Sequence, residues 1–157
     1  SGEKEPDFVG LSRGGFGNPF DVTTTTNRAL ADDMTYSIVS TMKAQKIKAS
    51  AVIIQPATKT TAVRAMLLKS DADRKVWMVL DEWKADTYSS TELLYDVTVR
   101  SLDKTCRERR KKRIIVDDTL GGYFFIPPAF SLQALPTAFK SKIEQLFNDP
   151  VIADALK

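Results

Sequence analysis

Five carboxylates in this 157-residue chain stand where acid–base or metal chemistry is conceivable: Asp81, Glu82, Asp86, Asp117 and Asp118. A general acid and base must converge on one reacting atom, and a magnesium site needs several oxygens about one point. Asp81 and Glu82 are neighbours in a strand-like stretch, so they should point to opposite sheet faces, and nothing else is spaced to join them. They read as solvated strand ends. The chain has no histidine and one cysteine, Cys106. That excludes Ser-His-Asp and Cys-His nucleophiles, a His/Cys zinc site and an intrachain disulfide. Cys106 beside Arg107 lacks a second thiol and reads as inert. No catalytic residue, metal or cofactor is expected, and the chain reads as a binding domain rather than an enzyme.

Two other segments carry the chemistry of recognition. The first is Ser12-Arg13-Gly14-Gly15-Phe16-Gly17-Asn18-Pro19-Phe20. A P-loop needs Gly-Lys-Ser/Thr opening a helix, and a dinucleotide fingerprint needs its third glycine at a helix start; here the glycines run into Asn18-Pro19. Two readings stay open. The loop is a tight turn that packs Phe16 and Phe20 against the body, or Phe16, Asn18 and Phe20 meet a partner.

The second segment is basic. Between Arg100 and Arg113 lie eight positive and two negative residues, a local +6 in a chain of net charge +3. Its candidate contacts are Arg107, Arg109, Arg110, Lys111 and Lys112. Clustered Lys and Arg are what phosphate binding requires, but they are unspecific. They suit an anionic lipid surface, an acidic protein or nucleic acid. They equally suit a solvated strand edge whose charges discourage aggregation.

The elements that position these segments follow from periodicity. Residues 7–11 read as a short strand and 21–26 as an extended approach. A helix is expected over 27–45, capped by Thr26 or Asn27, with Leu30, Met34, Ile38 and Met42 recurring every four residues. Residues 49–55 read as a β-branched strand ended by Pro56. A shorter helix, capped within 58–61, runs to about 69, with Val63, Met66 and Leu67 inward. A central strand over 75–88 is apolar on both faces at its start, with Trp77 and Trp83 six apart on one face. Residues 91–102 alternate cleanly. A two-residue turn at Lys104-Thr105 would set Ile114 against Tyr95, Val116 against Leu93, Lys112 against Val97 and Arg110 against Val99. Because buried lysine and arginine are costly, the hairpin tip is then expected to project past the core. A last helix starts between residues 130 and 136, with Leu135, Phe139, Ile143, Leu146 and Phe147 as its stripe. Residues 3–157 thus read as a single α/β domain in the order β-α-β-α-β-β-β-α. It is a mixed β-sheet with helices mainly on one face. Ser1-Gly2 reads as the remnant of a removed tag.

Four stretches carry a resemblance: 14–20, the helix around Leu30-Ala31-Asp32-Asp33, the strand end Asp81-Glu82-Trp83-Lys84-Ala85-Asp86-Thr87-Tyr88, and the final 146–156. Together they resemble the small lipoproteins of the Gram-negative cell envelope. The periplasmic domains of those proteins are similar in layout to the amino-terminal domain of TolB and to the curli-secretion lipoprotein. The resemblance implies a periplasmic domain, lipid-anchored to the outer membrane in the full-length protein. It also implies binding to an envelope protein or an anionic lipid surface. A homo-oligomer is compatible with it. The run 107–113 departs from the pattern, where a milder strand is expected. A cytoplasmic nucleic-acid-binding module using that run is the alternative.

Overall fold

The clean alternation of residues 91–102 calls for a strand neighbour on each side, and the fold supplies both. The computed structural model describes residues 5–13, 16–88 and 90–119, together with 141, 144, 145, 147–150 and 153. Its elements are β1 (Phe8–Arg13), β2 (Pro19–Thr23), α1 (Leu30–Ala44), α2 (Thr60–Leu68), β3 (Arg74–Thr87), β4 (Thr91–Asp103) and β5 (Glu108–Thr119). The strands form one mixed sheet in the order β2-β1-β3-β4-β5. β1 runs parallel to β3, and every other pairing is antiparallel. The class is α/β, as the element pattern implies. No helix among the described residues is long and apolar enough to cross a membrane.

Alternation sorts the sheet into two faces with different covers. One carries Ala85, Leu93, Tyr95, Val97 and Val99, with Val76, Met78, Leu80, Trp83, Ile114 and Val116 around them, and Phe147 packs on this cluster. The other, at the far end of the sheet, joins Leu102, Cys106 and Trp77 to Val63 and Leu67 of α2, with Val52 and Ile54 at the border. Trp77 alternates with Val76 and Met78, so α2 and Phe147 lie on opposite faces. The expectation of helices mainly on one face is corrected accordingly. Burying a leucine-sized side chain contributes about 2 kcal/mol, so each cluster is a substantial anchor.

β1 reaches β3 only because residue 10 is glycine. A Cβ there would stand 2.1 Å from the carbonyl oxygen of Ala85. The parallel pair therefore closes around a position that tolerates no side chain.

Several local expectations give way. Residues 49–55 are not a strand. Val52 and Ile54 still bury apolar surface against the α2 cluster, so their burial is met without a hydrogen-bonded ladder. α1 starts at Leu30 rather than 27, with Ala29 as its N-cap and no side-chain cap. Asn27 has a left-handed φ of 55°, and Thr26 instead donates its hydroxyl to Asp33. Leu30 donates its N–H to the Pro6 carbonyl at 2.9 Å, which ties the helix start to the approach of β1. Of the expected stripe, Met34 is buried, while Leu30, Ile38 and Met42 are half-buried. The stripe expected at Leu135, Phe139, Ile143 and Leu146 lies outside the described residues.

Trp77 and Trp83 do not share a face. The register of β3 on β4 slips between Leu80 and Glu82, leaving Asp81 as an extra residue. This β-bulge inverts the alternation, so Trp83 joins the first cluster, its ring 5.5 Å from that of Tyr95.

Candidate functional site

The aromatic loop and the basic run end up at opposite edges of the sheet. β1 and β2 form a hairpin at one edge, and its tip carries Phe16 and Phe20. Pro19 and Phe20 belong to β2, so the irregular stretch is shorter than the glycines suggest. Of the two readings of this loop, packing against the body is overturned. Phe16 is 98% exposed and Phe20 61% exposed, and Asn18 is exposed between them. A phenylalanine held almost wholly in water forgoes about 2 kcal/mol of burial, a cost that covering by another molecule would remove.

Beneath this tip, Arg13 at the end of β1 grips Asp86 of β3 with two parallel bonds, Nε to Oδ1 at 2.8 Å and Nη2 to Oδ2 at 2.7 Å. The fork ties the hairpin to the central strand just below its tip. The Arg13 hydrogen bond holds the Asp86 carboxyl below the usual aspartate range, against a smaller opposing effect of burial. Asp86 therefore stands as the ion-pair partner of Arg13. Beside the pair lies a shallow, open depression lined by Arg13, Gly17, Asp86, Tyr88, Ser90 and Glu92. Ser90 has no histidine anywhere in the chain to act as its base. Nothing in the local sequence marks Arg13. Its place at the mouth of a glycine loop, one strand from an aspartate, becomes visible only once β1 is known to lie beside β3.

At the other edge, β5 carries the basic run. Arg107, Arg109, Arg110 and Lys111 are exposed, and Lys112 is half-buried and ion-paired with Asp149. Their exposure has a different origin from the expected one. The hairpin tip does not project past the core, because Leu102 and Cys106 are buried under α2. The charges are wet because β5 is an edge strand.

The register also differs. Val116 lies opposite Tyr95, Ile114 opposite Val97, Lys112 opposite Val99 and Arg110 opposite Ser101. Two one-residue departures add up to this shift. The turn spans three residues, 104–106, with Cys106 at a left-handed φ of 59°, and Arg109 is an extra residue in a bulge next to Ser101. Since the total is even, every side chain downstream keeps the face that alternation assigns it. Asp103 organises the turn. Its Oδ1 accepts bonds from the Thr105 hydroxyl at 2.7 Å, the Thr105 N–H at 2.9 Å and the Arg107 N–H at 3.0 Å. These donors, the Thr105 hydroxyl foremost, hold the Asp103 carboxyl below its ordinary range.

Further along β5, Arg113 makes a two-pronged contact with Asp96 of β4, and Arg100 of β4 reaches back to Glu108 at 2.8 Å. The Arg113 hydrogen bond keeps the Asp96 carboxyl below the usual range. Lys111 is different: it lies directly opposite Arg100, a like charge, and makes no ion pair among the described residues.

The remaining carboxylates do not converge. Asp81 in the bulge and Glu82 next to it are exposed, and Asp117 is exposed while Asp118 is half-buried. Among the described residues no group of three His, Cys, Asp or Glu side chains could hold a metal ion. No protein-family model, curated protein or solved structure matches the chain.

Proposed function

We propose that this chain is the non-catalytic periplasmic domain of a lipoprotein anchored to the outer membrane, and that it binds another component of the cell envelope through the β1–β2 hairpin. The observation that carries the reading is the presentation of Phe16, 98% exposed, and Phe20, 61% exposed, near the tip of a hairpin tied to β3 by the Arg13–Asp86 fork. A rigid support under exposed aromatic rings suits docking, because little freedom is lost when the rings are covered. The resemblance of the four sequence stretches to envelope lipoproteins supplies the compartment. The partner is an envelope protein with an apolar pocket or an anionic lipid surface.

The test places a photo-reactive phenylalanine analogue at position 16 of the full-length protein in Gram-negative cells. The expected result is an adduct with one envelope protein or with lipid, and fractionation of the protein with the outer membrane. Recovery in the cytosol without an adduct would overturn the reading. The basic edge favours a second one, a nucleic-acid-binding module, because Arg107, Arg109, Arg110 and Lys111 are exposed and make no ion pairs among the described residues. Titration with duplex DNA at rising salt decides between them: tight, steeply salt-dependent binding would favour the module.

A further inference from the structure

The outer edge of β5 pairs with no other strand among the described residues, and its sequence is charge-polarised. It opens with Arg109-Arg110-Lys111-Lys112-Arg113, continues with Ile114-Ile115-Val116 and closes with Asp117-Asp118. Three of these charges are satisfied within the chain: Arg113 by Asp96, Lys112 by Asp149, and Asp118 by an interaction of its own. Arg109, Arg110, Lys111 and Asp117 are exposed without an ion pair among the described residues, and Lys111 and Asp117 share one face. Lys111 faces Arg100, and Asp117 faces Leu94. Neither makes an ion pair among the described residues, and six residues, about 20 Å of strand, separate them. Ile115, also on that face, is 67% exposed.

We infer that β5 is the interface of a symmetric dimer, pairing antiparallel with β5 of a second copy about a two-fold axis at Ile114. That register sets Ile114 against itself, Lys111 against Asp117 of the second copy, and Asp117 against its Lys111. It also brings Arg110 opposite Asp118, and Arg113, whose charge is already met by Asp96, opposite Ile115. Because a two-fold perpendicular to the sheet keeps faces aligned, each of these pairs lies on one face of a continuous ten-stranded sheet. The same charge pattern opposes the other pairings. A parallel, in-register neighbour would stack five cations on five cations, and like charges directly opposite are destabilising. The edge is thus protected against general aggregation while one arrangement remains complementary, which distinguishes a second copy from a merely acidic partner.

Sedimentation equilibrium of the full chain over a concentration series tests this. The parent is expected to dimerise, and the dimer to weaken as salt is raised. Lys111→Asp alone and Asp117→Lys alone place like charges across the axis twice, and each should weaken the dimer by about tenfold or more. An equimolar mixture of the two variants should restore it as a heterodimer, since both cross-pairs are then opposite in charge. Because the mixture contains only proteins already weakened singly, its recovery cannot come from folding. A parent that stays monomeric throughout, or a dimer indifferent to both reversals, would overturn the proposal. Ile114→Cys should form a disulfide across the axis under mild oxidation. A crosslink at Ile115→Cys instead, with none at position 114, would overturn the register.

Discussion

The two edges of the sheet solve opposite problems. β2 is five residues long and begins beside exposed aromatic rings; β5 is twelve residues long and carries charge on both sides of its apolar middle. The aromatic edge is joined to the centre by the short parallel ladder of β1 on β3, closed around Gly10, and by one ion-pair fork, with no apolar cluster of its own among the described residues. The charged edge is packed from both sides, by α2 at its hairpin end and by Phe147 along its middle. Exposure of side chains is therefore a poor guide to how firmly a strand is held. What separates the edges is the layer beneath them.

The contrast breaks if stability does not follow that layer. Leu102→Ala removes a side chain 1% exposed at the α2 cluster and should cost about 3 kcal/mol in urea unfolding. A cost under 1 kcal/mol would mean that the charged edge is held otherwise. Gly10→Ala drives a methyl into the Ala85 carbonyl and should cost about 2 kcal/mol in urea unfolding.

Acid should act on both edges. Asp86 under the aromatic edge, and Asp96 and Asp103 at the charged one, all have folded-state pKa values below the ordinary 3.8. A depressed carboxylate binds fewer protons folded than unfolded, so its stabilisation is complete above that value and is lost as pH falls through the folded pKa. Melting temperature should be flat near neutrality and drop below about pH 4, and Asp86→Asn should shallow the drop. A drop that begins near pH 6 would contradict these groups as its source.

The smallest effects sharpen the comparison most. Arg109, Arg110 and Lys111 changed together to Ser should alter monomer stability by less than about 1 kcal/mol. Phe16→Ser with Phe20→Ser should change it by less than about 0.5 kcal/mol, and Phe20→Ser alone should weaken the adduct formed from position 16. A large loss of stability in either variant would show that the side chains pack within the chain.

Much of this layout is readable in the residues. The four-residue spacing of Leu30, Met34, Ile38 and Met42 marks α1, and the alternation of Leu93, Tyr95, Val97 and Val99 marks the most buried strand. Three things are not readable, each for a physical reason. The run Val76-Trp77-Met78-Val79-Leu80 is apolar on both faces, so it hides the phase change at Asp81. Cys106 adopts a left-handed backbone without being glycine, so nothing in the turn's composition announces its extra residue. Val52 and Ile54 satisfy hydrophobic burial outside the sheet, and burial alone does not distinguish a strand from a packed loop. At the candidate sites, Phe16 and Phe20 are visible as residues, but whether they are covered depends on the third dimension. The Arg13–Asp86 fork joins positions 73 apart and is invisible to any local pattern.

The bulge in β3 separates the length of that strand from its pattern of faces. Asp81 itself is exposed, and many side chains would serve there. Deleting it would set Leu80 directly before Glu82 and leave Trp83 and Ala85 on the face of Tyr95, in the register they already hold. What the bulge protects is the side each residue takes: were Asp81 to enter the ladder as a regular strand residue, Trp83 and Ala85 would turn outward and Asp86 would be carried away from Arg13. Substitution and deletion of Asp81 should both be nearly silent, whereas a one-residue insertion beside Trp83 should not be tolerated.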